Sequence, residues 1–344
     1  MTPSTTLGGF KILRDVVRIS RVQPVKDEAG PADVFRTLAD GRINLPFLTC
    51  GKDNLDWGLN IVIPSNTSRD ASSRLQKYAA SSWITQAHGS ILSVFPHKSD
   101  PEVTASLLKV MGAEGLEPEA LANSNSAVST VLKDESVSGI TQALFKPFRF
   151  SAYRTPADWK LAEKGREKLY KEVVASYQEK KPKVYGLEWR DGQALYRVKL
   201  NTRNLCEAET AFRQLSRQGI ALTFFITSPT REKGETMLSL ALPHSKTQNH
   251  EKIFENLPPA NVAKKAYPVA HFAMNGPHFG DRYGIASELL TALDSADIDL
   301  LGLSCSIASI TGIVPAAQIR DAIRAVQGCF EVPSVFKRID RGAV

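Results

Sequence analysis

The chain carries a copy of itself. Leu107-Leu108 returns as Leu289-Leu290, Ala143-Leu144 as Ala325-Val326 and Phe148 as Phe330, at one constant spacing and without a gap. Upstream, Phe35-Arg36-Thr37-Leu38 with Ile43 and Leu45 returns as Phe212-Arg213-Gln214-Leu215 with Ile220 and Leu222. A repeat fixes the folding unit before anything else is read. It also counts against one large catalytic domain, whose asymmetric site rarely recurs along a chain.

Each half divides again. Residues 10–22 are apolar and β-branched and predict a strand. Pro31 suits the first turn of a helix, and Val34, Phe35, Leu38 and Ala39 give it one apolar face. Ile43, Leu45, Phe47 and Thr49 alternate as a strand, and Leu59 to Ile63 form another, stopped by Pro64. A helix capped by Ser68 or Asp70 follows. The order is β-α-β-β-α-β. It recurs over 90–150, with Asp100 and Pro101 opening its first helix, and again over 184–257 and 267–332.

This order is the ferredoxin-like split βαβ unit, an antiparallel sheet with its helices on one face. The sequence thus predicts an α+β protein of four such units, arranged as two tandem pairs. Their bounds are 9–88, 89–150, 184–258 and 259–335. An amphipathic connecting helix over 151–183 carries Trp159, Leu161, Leu169, Val173 and Tyr177 among many charges. Pairing edge to edge would hide sheet edges that otherwise invite aggregation.

Composition narrows the function classes. A chain of 344 residues exceeds one domain at roughly 100–200 residues each. No apolar run reaches the roughly 18 residues of a membrane span, and the N-terminus lacks a signal pattern. Cys50, Cys206, Cys305 and Cys329 show no C-x-x-C spacing and read as reduced, packed thiols of a cytoplasmic protein. The net charge of +7 raises the question of nucleic acid, but the basic stretch Lys160 to Lys183 is interleaved with Glu163, Glu167, Glu172 and Glu179. It reads as a solvated face. The six histidines have no metal-ligand spacing, so neither metal nor cofactor is expected. G-x-x-x-x-G-K-[ST], G-x-G-x-x-G and G-x-S-x-G are all absent.

Several segments resemble the ACT-domain regulatory region of aspartate kinases. They are Lys183 to Trp189, Ala194 to Leu200, Phe212 to Leu222 and Gly234 to Ser239, then Tyr267 to Phe272, Gly284 to Ala286 and Ile298 to Ser306. Residues 9–63 and 90–150 resemble the same pair more faintly, so the likeness covers nearly the whole chain. The K-F-G-G-[ST]-S signature of the kinase catalytic domain does not appear, and the resemblance leaves no room for that domain. The strand–helix loops depart from the D-x-P-G pattern common in ACT units.

The resemblance implies ligand sites at those loops, and there is a physical reason for the place. A helix N-terminus presents unpaired N–H groups and a positive dipole end to a carboxylate. In the first unit Asp27 and Gly30 would face Thr49. In the third, Asn201, Thr202 and Asn204 would face Thr227 and Ser228. In the fourth, His278, Gly280, Asp281, Gly284 and Ile285 would face Ser304 and Ser306. Glycine and serine at such places otherwise serve only turns and close packing.

The expected function is that of a non-catalytic, amino-acid-binding regulatory protein. By resemblance its effector is lysine, threonine or another aspartate-family product, and its partner an enzyme such as aspartate kinase. It would be a monomer with internal pseudo-symmetry or a homodimer, with no nucleic-acid or membrane partner. The alternative is an ACT-fold structural or interaction module without a ligand.

Overall fold

The computed structural model describes residues 5–27, 29–78, 83–163, 181–244, 250–255, 257, 261–276, 279, 282–306 and 309–338. The local elements follow the sequence pattern, except that Ile43 and Leu45 precede the strand that begins at Phe47 and the helix that begins at Ser68 has no side-chain cap. The first half contains β1 (Thr5–Pro24), α1 (Pro31–Asp40), β2 (Phe47–Lys52), β3 (Asp56–Pro64), α2 (Ser68–Leu75) and β4 (Trp83–Pro96). These lead to α3 (Pro101–Ala113), β5 (Ala120–Asn123), β6 (Val128–Lys133), α4 (Val137–Ala143) and β7 (Phe148–Phe150). The second half contains β8 (Gly186–Asn201), α5 (Glu209–Arg217), β9 (Phe224–Pro229), β10 (Glu235–Pro243) and β11 (Asn261–Asn275). It ends with α6 (Ile285–Ser295), β12 (Gly302–Cys305), β13 (Ser309–Pro315), α7 (Ile319–Cys329) and β14 (Val335–Lys337).

Capping explains where helices start. Asp100 accepts the backbone N–H of Glu102 at 2.8 Å ahead of Pro101, and Asp33 accepts that of Gly30 at 3.1 Å ahead of Pro31. Each satisfies an N–H that the first turn leaves orphaned.

The long-range architecture differs from the expectation of four ferredoxin-like units in two tandem pairs. All strands among the described residues belong to one 14-stranded sheet with the order β10-β9-β5-β6-β4-β1-β3-β2-β12-β13-β11-β8-β14. A further pairing of β10 with β8 closes this path on itself. The sheet is mixed, not antiparallel, because β7 runs parallel to β1 and β14 parallel to β8. The joining edges are also not those of sequence neighbours. β2 pairs β12, with Cys50 opposite Leu303 and Thr49 opposite Ser304, so the first quarter of the chain meets the fourth. β5 meets β9 at Ala122 and Ile226, so the second quarter meets the third.

The reason lies in four long strands. β1 pairs β4 over much of its length and β3 over its second half. Its register against β4 shifts between Leu13 and Val16, where Asp15 adopts φ 56°. β8 and β11 pair with a similar shift between Ala266 and Val269. Such bulges turn a strand out of one layer and into the next, which makes separate sheets one surface.

Three cores result. One gathers α3, α4 and α5 on β4, β6, β8 and β10, with Phe212, Phe225 and Leu108 buried. A second gathers α1, α6 and α7 on β2, β3, β11 and β12, with Phe35, Phe272 and Leu289. The third contains only strand residues, among them Phe47, Val62, Ile91, Leu195, Phe224 and Ile313, and fills the space the closed sheet encloses. Each such side chain contributes roughly 1.5–3 kcal/mol on leaving water. The start of the connecting helix is docked as well: Trp159 is buried and stacks on Phe10 at 4.8 Å. The rest of that expected helix, 164–180, lies outside the described residues.

Candidate functional site: a cationic crevice at the seam of the sheet

Closing the sheet leaves a crevice of about 390 Å³ where the β2–β3 hairpin faces β8 and the β9–β10 turn. The hairpin reaches this place because two glycines let it. A Cβ on Gly51 would lie 2.7 Å from Ser228 Oγ, and one on Gly58 would lie 2.4 Å from the Pro229 carbonyl oxygen. The hairpin turn is built by Asp53, whose Oδ1 accepts the N–H groups of Leu55 at 2.8 Å and Asp56 at 2.7 Å. That self-contained turn is what Asp commonly does between strands.

Four cations and several acids line or border the crevice, but they are not matched one to one. Asp56 pairs with Arg231, and Lys52 pairs with Asp299 while its Nζ lies 5.5 Å over the Trp57 ring. Arg197 and Lys199, two residues apart on β8 and so on one face of it, form no ion pair among the described residues. Arg197 is only 8% exposed, and its Nε has no hydrogen-bond partner among the described residues. Burial lowers its pKa, partly offset by the charges of Asp53 and Asp299. The guanidinium remains charged in any protein setting. Partial withdrawal of that charge from water is costly, and an anion meeting the terminal nitrogens from the crevice would relieve part of the cost.

The residues expected to bind ligand are dispersed. Asp27 and Gly30 border a separate cavity of about 640 Å³, with Asp33, Trp57, Asp294, Asp297 and Asp299 among its walls. Thr49 is not with them: it is fully buried and its Oγ1 donates to the Thr227 carbonyl at 2.7 Å. Thr227 accepts the Leu121 N–H at 2.8 Å, so both threonines fasten strands together. Gly284, Ile285 and Ser306 border a pocket of about 20 Å³ shared with Phe35 and Leu45, a space the size of one water. Ser304 is buried beside them in the sheet, and its hydroxyl has no partner among the described residues. Asn201 caps a 3-10 turn by accepting the Arg203 N–H at 3.0 Å, and Thr202 donates its N–H to Gly234. Asn204 lies half-buried in the same turn. Only Ser228 reaches the crevice. His278, Gly280 and Asp281 lie outside the described residues.

Sequence reasoning missed Arg197 and Lys199. The signal was present: Ala194-Leu195-Tyr196-Arg197-Val198-Lys199-Leu200 places two cations inside an otherwise apolar strand. Among the described residues no cluster of His, Cys, Asp and Glu could hold a metal ion. No helix among them is long and apolar enough to cross a membrane.

No known family profile matches the chain, and no curated protein matches it. Solved structures do. The aspartate kinase from Synechocystis covers 100% of this chain at a TM-score of 0.77 and 15% identity. The regulatory subunit of the Thermus thermophilus aspartate kinase covers 42% of this chain at 19% identity, and the Clostridium acetobutylicum aspartate kinase 45% at 15%. Their TM-scores of 0.38 and 0.37 are too low to carry an argument. The full-length match overturns the expected likeness to a kinase regulatory region alone, because the protein that spans every part of this chain is a kinase. With it falls the expectation of a non-catalytic ACT regulator or an inert ACT module, which rested on that narrower likeness. This chain spans 59% of the matched chain's length. What it shares, at 15% identity, is the fold of an aspartate kinase over about three fifths of that kinase.

Proposed function

We propose that this chain belongs to the working body of an aspartate-kinase-type enzyme. The observation that carries the reading is the correspondence of its whole length to one aspartate kinase at a TM-score of 0.77. Kinase chemistry brings a phosphoryl group and its acceptor together and neutralises their charge with fixed cations. The chain has no Walker-type loop for this, so charge neutralisation falls to side chains. Arg197 and Lys199, unpaired in their crevice, are suited to such a task.

The test is aspartate- and ATP-dependent formation of acyl phosphate, trapped as hydroxamate. It is run with the purified chain alone, then in extracts of its source with the gene intact or deleted. Activity that requires the chain supports the reading. Identical kinase activity with and without the gene, together with an inert purified chain, sinks it.

A further inference from the structure

We propose that the crevice is an anion-binding site in which Arg197 takes a compact phosphoryl or carboxylate group of a small molecule. The site does not depend on kinase turnover, and binding alone can test it.

Three observations converge on it. Arg197 is more than nine-tenths buried, yet among the described residues it forms no hydrogen bond or ion pair; its Nε is enclosed, and its two terminal nitrogens are the ones left open to the crevice. It borders a cavity of about 390 Å³, inside the range of small-molecule pockets. The nearby acids are already engaged: Asp53 holds the hairpin N–H groups, Asp56 holds Arg231, and Asp299 holds Lys52. Asp53 and Asp299 act on Arg197 only through space, so it has no bonded acid among the described residues, and Lys199 stands beside it on the same face of β8.

The geometry also limits the ligand. A guanidinium presents parallel N–H groups that suit the two oxygens of a phosphoryl or carboxylate group. Asp53, Asp56 and Glu232 line the same crevice and repel an extended polyanion. The ligand is thus a small molecule with one compact anionic end, not a nucleic-acid backbone.

Thermal melting in phosphate-free, low-salt buffer tests this, with inorganic phosphate and malonate as the two probes. Wild type should melt higher with at least one of them. A response to phosphate alone marks a phosphoryl site; a response to malonate alone marks a carboxylate site. Arg197→Met should lose the response while melting at or above wild type without anion, because the unpaired charge is gone. Lys199→Met, at a half-buried position, should weaken binding roughly tenfold by calorimetry. Arg203→Met, at an exposed position on the adjoining turn, should bind as wild type does. The proposal is overturned if neither probe shifts wild type, or if Arg197→Met keeps the shift. If Arg197→Met does not fold, unchanged binding by Lys199→Met rejects the site.

Discussion

Gly58 and Pro229 meet backbone to backbone: a Cβ at residue 58 would stand 2.4 Å from the Pro229 carbonyl oxygen. Neither atom belongs to a side chain that could swing aside. Gly58→Ala should therefore push the β2–β3 hairpin from the β9–β10 turn and cost about 1–3 kcal/mol in urea unfolding. Gly139 provides the contrast. It lies within α4 with nothing within 4 Å of a built Cβ and no positive φ. Gly139→Ala should stabilise the protein by about 0.5–1 kcal/mol.

A second prediction concerns the polar thread between facing strands. Arg18 donates to Asn60 at 2.8 Å, Asn60 donates to Thr49 at 3.0 Å, and both Asn60 and Thr49 donate to the Thr227 carbonyl. Thr49→Val keeps the shape but removes the hydroxyl that Asn60 needs. The expected loss is about 1–2 kcal/mol. Because Thr49 fastens strands, the variant should bind phosphate as wild type does, and weakened binding would return Thr49 to the site.

Acid should expose His271. The ring is buried, neither nitrogen has a hydrogen-bond partner among the described residues, and its pKa is lowered to about 3 by burial and by the charges of Arg190 and Arg338. The unfolded chain takes a proton near pH 6.5, whereas the folded chain resists it until about pH 3. The stabilisation from a neutral His271 is thus complete above pH 6.5 and is lost as pH falls through that window. The slope is about 1.4 kcal/mol per pH unit for one proton. His271→Met should flatten the difference in urea midpoint between pH 7 and pH 4, and a variant as acid-sensitive as wild type would refute this.

All four cysteines are free, and all four thiols are held above their ordinary pKa. Burial is the leading cause in each, with Cys206 pushed up to about 11 and Cys329 to about 12. The thiolate is the reactive form. At pH 8 the native protein should therefore react slowly with a disulfide reagent and give four equivalents promptly only in denaturant. A fast equivalent in the native state would contradict the packing described.

Local signals read truly from the sequence because their causes are local. Asp100 before Pro101 sets a helix start through a bond that spans a single turn, and Pro31 opens α1 by its own fixed geometry. The joins that make one sheet are set elsewhere. Nothing near Cys50 or Ala122 names Leu303 or Ile226 as its neighbour. The bulge that bends β1 sits at Arg14-Asp15, within a run whose β-branched residues read as one straight strand. The candidate site was missed for a related reason. Arg197 sits mid-strand, away from the loops of glycine, serine and aspartate; its spacing from Lys199 marks a cationic face, but not that a hairpin from the other half of the chain covers it.

A loop of strands has no end from which to unzip. The β5–β9 join is held by one registered pair, Ala122 with Ile226, and side chains complete it: Asn123 accepts the Phe225 N–H at 2.5 Å and Thr227 accepts that of Leu121 at 2.8 Å. Cut there, the ring becomes an open ribbon whose halves are still tied at β2–β12. The molecule thus has a clasp as well as a hinge, and the clasp is fastened by an asparagine and a threonine. Substituting those two residues would strip the clasp of its side-chain bonds and leave Thr49 and Asn60, which reach the Thr227 carbonyl from the opposite wall, to hold the band shut.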